Sequence, residues 1–302
     1  MPFNTLSLRF DSDVATLTLN RPEKRNAVSP EMITELLAAL DEIQGSTAPV
    51  AILTGAGKAF CSGMDLEALK DLALQAGAAA RHSEAETQEP TTAGVMDVAV
   101  RVLKGQAEEP APSSPMAEPT EVALESSRTL ARMFRRIYDF PKPLIAAVNG
   151  AAIAGGCGIA TLCDFTLAVP EAKFGYTEVR VGFVPAIVSV FLVRQIGEKR
   201  ARDLLLTGRI IDAQEALRLG LVSEIVAPES LMDRVRELAG QLVENSPASL
   251  SGTKELLSSV SQHDIDHGLA LAIEANARIR STHDFREGLS AFLEKRKPVW
   301  YP

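Results

Sequence analysis

The sequence predicts an α/β fold: a layered sheet core in the first two thirds and a helical region after it. Three observations predict it. Short apolar runs, two of them closed by glycine, alternate with segments of helical period over residues 14–169. From about residue 207 onward the apolar spacing is helical throughout. The chain has 302 residues, 46% of them hydrophobic, enough for a substantial core.

Val14 to Leu19 alternates, with Ala15, Leu17 and Leu19 on one face and Thr16 and Thr18 on the other, as in a half-buried strand. Residues 20–27 form a polar loop. Ser29 then caps a helix with Pro30 at its first position. Met32, Ile33, Leu36, Leu37, Leu40 and Ile43 make that helix's apolar stripe. Val50–Thr54, Leu144–Val148 and Phe165–Val169 read as buried strands, the first two closed by Gly55-Ala-Gly57 and Asn149-Gly150. Asp212 caps a helix over 213–219 that Gly220 ends, and further helices are expected around 229–245, 248–260, 264–281 and 284–294. Between about 70 and 127 the chain changes character. It is rich in Ala, Glu, Pro, Ser and Thr, with four prolines from Glu108 to Pro119, and reads as a mobile surface insertion. Lys142–Asp164 is the most informative stretch: a buried strand, a turn, Gly155-Gly156 and then a helix.

The formal net charge is −8, which argues against nucleic acid or an anionic membrane as the main partner. Three cysteines without regular spacing suggest reduced thiols and a cytoplasmic setting. Residues 1–10 lack the basic start and apolar run of a targeting peptide, and no run is long enough to span a membrane. His263 and His267 stand one helical turn apart but lack further ligands nearby in sequence, so no metal is expected.

A Gly-Gly pair opening a helix leaves backbone N–H groups free to hold an anion or a developing oxyanion, although such a pair also serves plain close packing. It is not a dinucleotide fingerprint, and Gly55-Ala-Gly-Lys58 is not a phosphate loop. Cys61 and Cys157 flank the two glycine-bearing loops. With no histidine in these motifs they read as packing residues, and Asp164 reads as orienting the turn after its helix.

Four ordered motifs together resemble the crotonase (enoyl-CoA hydratase/isomerase) superfamily. They are Leu19–Ala27, Phe60-Cys-Ser-Gly-Met-Asp-Leu66, Asn149–Asp164 and Ala172–Pro185. The resemblance runs along the whole chain except the insertion and implies the ClpP/crotonase-like spiral of ββα turns. Residues 1–206 would be the core and 207–302 a helical region that closes the CoA site and builds a trimer, or a dimer of trimers. It further implies an acyl-CoA substrate and no cofactor beyond the coenzyme A that the substrate carries. Two backbone N–H groups, assigned by the match to Ser62 and Gly155, would hold a thioester enolate, and Glu178 would move the proton. CoA contacts implied in the same way are Lys24, Arg25, Ala27, Met64, Asp65, Leu66 and Gly156. Lys295 and Lys297 would reach phosphates from a neighbouring subunit, or are simply solvated lysines. Leu69, Phe134, Tyr176 and Phe183 would shape the acyl pocket, and Arg180 would meet an acidic acyl tail or solvent.

One position departs from the pattern. Hydratases of this family resemble one another in carrying a second glutamate at the position of Gly158, and glycine there neither accepts nor donates a proton. The expectation is therefore Δ3,Δ2-enoyl-CoA isomerisation with one glutamate. Hydration by a single glutamate, thioester hydrolysis or C–C cleavage on the same scaffold, and a non-catalytic RNA-associating role are the alternatives.

Overall fold

The computed structural model describes residues 3–70, 120–261 and 263–300. They divide into two compact units, Met1–Asp65 with Leu130–Pro302, and Leu66–Thr129. The larger part of the expected insertion, 71–119, lies outside the described residues.

Two sheets organise the first unit. The larger runs β1 (Leu6–Asp11), β2 (Val14–Leu19), β3 (Val50–Gly55), β5 (Leu144–Val148), β7 (Phe165–Ala168), β10 (Glu224–Ile225). β1 and β2 form an antiparallel hairpin, and every later pair is parallel. Leu17 pairs in register with Leu53, and Leu53 with Ala146. The alternation in β2 holds, since Ala15, Leu17 and Leu19 are buried. β5 is buried at every position, as expected of a central parallel strand covered on both faces.

The smaller sheet runs β4 (Ala59–Cys61), β6 (Ala151–Ile153), β8 (Lys173–Gly175), β9 (Ile211–Asp212). These strands of two or three residues were not expected from periodicity, which needs four or more residues to register. Of these, β4, β6 and β8 follow β3, β5 and β7 directly, so each repeat crosses from the large sheet to the small one.

Helix α1 (Pro30–Gly45) is capped as expected, with Ser29 Oγ accepting from Met32 N at 3.2 Å. The Lys142 ammonium donates to Ile43 O, Ser46 O and Ala48 O at 2.7–2.8 Å and so satisfies carbonyls at the end of α1. Helix α2 (Glu121–Tyr138) begins inside the stretch expected to be insertion up to 127, because its Glu and Arg residues support a helix once the prolines end. Then come α3 (Gly155–Thr161), α4 (Ala186–Ile196), α5 (Glu198–Thr207) and α6 (Ala213–Leu219). Two of these, α4 and α5, are helical before the predicted onset at 207. Asp212 caps α6 by accepting from Glu215 N, and Gly220 ends it in the left-handed region. The chain closes with α7 (Leu231–Val243), α8 (Pro247–Val260), α9 (Ile265–Ile279) and α10 (His283–Glu294).

Among the described residues, no helix is long and apolar enough to cross a membrane. Cys61, Cys157 and Cys163 are free and buried.

Candidate active site

The site forms where the loop after β4 meets the start of α3. Gly63 makes the meeting possible. Its φ is +94°, and a Cβ there would lie 2.9 Å from Ala154 Cβ and 3.7 Å from Gly155 N. The loop is fastened from below by residues 20–28. Asn26 is fully buried, and its amide donates to Ala56 O, Ala59 O and Phe60 O at 2.9–3.2 Å while its Oδ1 accepts from Arg21 N. The Arg21 guanidinium donates to Ala27 O and pairs with Asp65 at 3.0 Å. Asp65 and Ala27, expected as CoA contacts, thus also have a structural part in closing this loop.

One predicted donor needs correction. Ser62 N–H donates to Arg25 O at 3.0 Å, so it is not available to an oxyanion. The next residues pair with Val28 as a parallel bridge: Val28 N–H donates to Gly63 O, and Asp65 N–H donates to Val28 O. In such a bridge the middle residue points its own N–H away from the partner strand. That residue is Met64, and its N–H makes no hydrogen bond among the described residues. The candidate donor on this loop is therefore Met64, expected only as a CoA contact.

Gly155 opens α3, and the residue before it aims it. Ala154 sits at φ 49°, ψ −124°, a region L-residues rarely adopt, which costs of order 1–3 kcal/mol. It is held there by Ala154 N–H donating to Gly175 O at 2.7 Å and by Ala154 O accepting from Gly158 N. Gly156 is buried, and a Cβ there would lie 2.4 Å from Cys61 O. Its missing side chain serves close packing of α3 on β4.

Glu178 begins a single 3-10 turn, Glu178–Val181, that follows β8. Its carboxyl is half-buried, and Oε2 is buried without a hydrogen bond among the described residues. Burial pushes its pKa above the ordinary 4.5, offset in part by its own backbone N–H. Beside it, Tyr176 Oη and Thr161 Oγ1 lie 3.2 Å apart, deep in the core. Burial holds the Tyr176 phenol neutral and pushes the Cys157 thiol up to about 12, and the nearby Glu178 charge adds to both shifts. Cys61 is likewise pushed up to about 12 by burial, so neither thiol is a nucleophile at neutral pH.

The remaining predicted residues are scattered. Tyr176 belongs to the core, whereas Phe183 is half exposed. Leu66 is exposed, and it and Leu69 belong to the second unit. Lys24 and Arg25 are exposed on the loop whose carbonyls tie down Ser62. Arg180 lies over Gly208, where a Cβ would meet its Cγ at 3.3 Å. Lys295 and Lys297 stand at the end of α10, and Lys297 is 3.6 Å from Glu244. Asp164 orients a turn as expected, accepting from Leu144 N at 2.7 Å and pairing with Lys254. The rings of His263 and His267 stack at 4.0 Å, and among the described residues no cluster of three or more His, Cys, Asp or Glu could hold a metal.

Two candidate backbone donors, at Met64 and Gly155, and one half-buried carboxylate, at Glu178, are the groups that an enolate-stabilising site would need. The enoyl-CoA hydratase/isomerase family model matches residues 9–100 and 116–302. A Thermus thermophilus protein provisionally named enoyl-CoA hydratase is 42% identical over 286 residues, 94% of this chain and 96% of its own. The short-chain-enoyl-CoA hydratase of Clostridium acetobutylicum is 33% identical over 98% of this chain and 97% of its own. The crystal structure of an enoyl-CoA hydratase from Mycobacterium smegmatis superposes with a TM-score of 0.77 at 29% identity, covering 99% and 100% of the two chains. The chain belongs to the enoyl-CoA hydratase/isomerase (crotonase) family and is an enzyme that transforms acyl-CoA thioesters.

Proposed function

We propose that this enzyme adds water to a 2-enoyl-CoA, with the Glu178 carboxylate as its acid–base group. The observation that carries the reading is Oε2 of Glu178, buried and without a hydrogen bond among the described residues, an oxygen left for substrate or water. The thioester oxygen would accept from Met64 N–H and Gly155 N–H. Such donors are worth about 3–4 kcal/mol each when aimed at developing negative charge. Glu178 would take a proton from water as the hydroxyl adds to C3, and return a proton to C2 of the enolate. The raised pKa of Glu178 suits both steps, since it brings the group nearer neutrality. No step calls for a metal or redox group.

The expectation of isomerisation gives way to hydration because the similar proteins reported above are named hydratases. Isomerisation stays as the second reading on one observation, the absence of an acid at Gly158. CoA would lie along the exposed Lys24 and Arg25. The exposed stripes on α9 and α10 support assembly with further copies, and in a trimer Lys295 and Lys297 would face a neighbour's nucleotide.

The test is incubation with trans-2-enoyl-CoA and 3-enoyl-CoA, separately, in heavy water, with mass spectrometry of the thioesters. Gain of one water by the 2-enoyl substrate is expected. Double-bond migration in the 3-enoyl substrate, with no water added to the 2-enoyl one, would establish isomerisation instead.

A further inference from the structure

Glu178 stands on a turn, Glu178–Val181, that contains no buried residue, and Val181, Phe183 and Val184 beyond it are exposed. What places this turn is therefore what it rests on. It rests on the corner between α5 and β9. Gly208 ends α5 in the left-handed region, with a φ of +59°, and its N–H donates to Leu204 O at 3.1 Å. A Cβ at 208 would lie 2.9 Å from Val179 Cγ2 and 3.3 Å from Arg180 Cγ, so the two residues after Glu178 lie directly on this backbone. The same corner reaches the other half of the site. A Cβ at Gly175, the last residue of β8, would lie 3.0 Å from Arg209 O and 3.3 Å from Ile210 Cα. Gly175 O accepts from Ala154 N–H, the bond that holds the residue aiming Gly155.

Arg209 ties this corner to two helices. Its Nε and Nη2 donate to Asp203 Oδ2, on α5, at 3.0 and 2.5 Å. Its Nη1 and Nη2 donate to Glu215 Oε2 and Oε1, on α6, at 3.0 and 2.7 Å. The bonds to Glu215 form a parallel pair, which fixes direction as well as distance. Both partners are anchored in turn. Thr207 Oγ1 donates to Asp203 O and accepts from Arg209 N–H, and Glu215 N–H donates to the Asp212 cap. An isolated surface ion pair holds little, whereas a bidentate pair within a network of charges does hold a geometry. We propose that Arg209 is a positioning residue for the reaction: it locks the corner on which the Glu178 turn and the end of β8 rest, and so sets where the base and the Gly155 amide stand. It acts through the backbone of Gly208 and Gly175. The inference rests on the enolate reading given above, but not on hydration as its outcome. Arg234 supplies a comparison. It bridges Glu224 and Glu237 at 2.9–3.1 Å, but it ties β10 to α7, which carry none of the candidate site residues.

The test uses a substrate that cannot be hydrated. Saturating butyryl-CoA is incubated in heavy water with the full chain, and replacement of its C2 hydrogens is followed by NMR between about pH 4 and 8. In the wild type the rate should rise with pH as Glu178 ionises. Cys157 and Tyr176, which feel the charge of Glu178, are held neutral by burial, so this acid limb reports Glu178. Arg209→Met keeps the apolar stem and removes the guanidinium. It should exchange about 10–100-fold more slowly, as expected of a misplaced base. Butyryl-CoA affinity by calorimetry should stay within about threefold of wild type. The acid limb should move to lower pH, because a loosened turn lets water reach Glu178 and relieves the burial that raises its pKa. Glu215→Gln should give the same changes in weaker form, and Arg234→Met should match the wild type in rate and limb. Wild-type exchange by Arg209→Met would overturn the proposal. Slower exchange with an unmoved limb and an earlier urea midpoint would also overturn it and leave a structural role. So would equal slowing by Arg234→Met. No exchange in the wild type would remove the enolate reading, and the role of Arg209 with it.

Discussion

The two sheets and the last three helices bury their apolar side chains in opposite ways. In the sheets, β3 and β5 bury Val50, Ile52, Leu53, Leu144, Ile145 and Val148, and α1 adds Met32, Leu36, Leu40 and Ile43 to the same core. In the last three helices, α8 and α9 have no buried residue and α10 has only Ala291. Ile265, Leu269 and Ile273 stand exposed at four-residue steps along α9, and Phe285, Leu289, Phe292 and Leu293 along α10. Helical spacing marks a continuous face, whereas isolated exposed apolar residues are ordinary. The sheets bury their apolar residues within the chain, whereas the last three helices leave a continuous apolar face exposed. The candidate site residues Met64, Gly155 and Glu178 belong to the part with the buried core.

The largest expected effect tests where the chemistry sits. Glu178→Gln should lower kcat/KM by about 10²–10⁴, the usual worth of a positioned acid–base group. Butyryl-CoA affinity, measured by calorimetry, should be unchanged, and a mere tenfold loss would take Glu178 out of the reaction. Second comes the exposed stripe. Ile273→Glu should leave circular dichroism unchanged and shift the molar mass in light scattering to that of a single chain. If the variant unfolds, the comparison fails, because α9 would then be supported from within its own chain.

Glycines sharpen the same contrast. A Cβ at Gly150 would lie 2.1 Å from Lys58 O, so Gly150→Ala should cost about 1–3 kcal/mol, seen as an earlier urea midpoint. Gly240, in α7, has nothing within 4 Å of such a Cβ, and Gly240→Ala should stabilise by about 0.5–1 kcal/mol.

The smallest effect is a pH dependence of stability. Burial raises the folded pKa of Glu178 above 4.5, so the folded state holds that proton more tightly than the unfolded state does. The resulting stability is present below the ordinary pKa and is lost as pH rises through the raised one. Glu178→Gln should therefore melt higher than wild type at pH 7–8, with the gap closing near pH 4. Parallel melting curves across that range would mean the carboxyl is hydrated in the folded chain.

The large sheet was legible because β2, β3, β5 and β7 are long enough for alternation or sustained burial to register, and Ser29 and Asp212 mark their helices with side chains that do cap them. The glutamate was legible only through the motif around it, since a lone carboxylate on a turn has no periodic signal. The donor on the first loop was misplaced by two residues. Which amide faces the site depends on the bridge between Val28 and Met64, a long-range pairing that the run Cys61-Ser-Gly-Met64 does not encode locally. Asn26 was visible as part of a motif, but its three carbonyl partners come from residues 56–60 and need the folded loop. Phe134 is 24 positions from Gly158, and nothing in either neighbourhood announces that its ring lies where a side chain at 158 would go.

Ala154 makes the site costly to improve. Its methyl stands where a side chain at Gly63 would have to go, and its backbone is held in a conformation that glycine would adopt freely. Selection for thermal tolerance would favour glycine at 154, because relief of strain raises the melting point. The same change would add freedom to the one peptide that aims Gly155 N–H. Heat resistance and rate then pull on a single residue in opposite directions, and variants selected only for surviving heat would be expected to give up turnover there first.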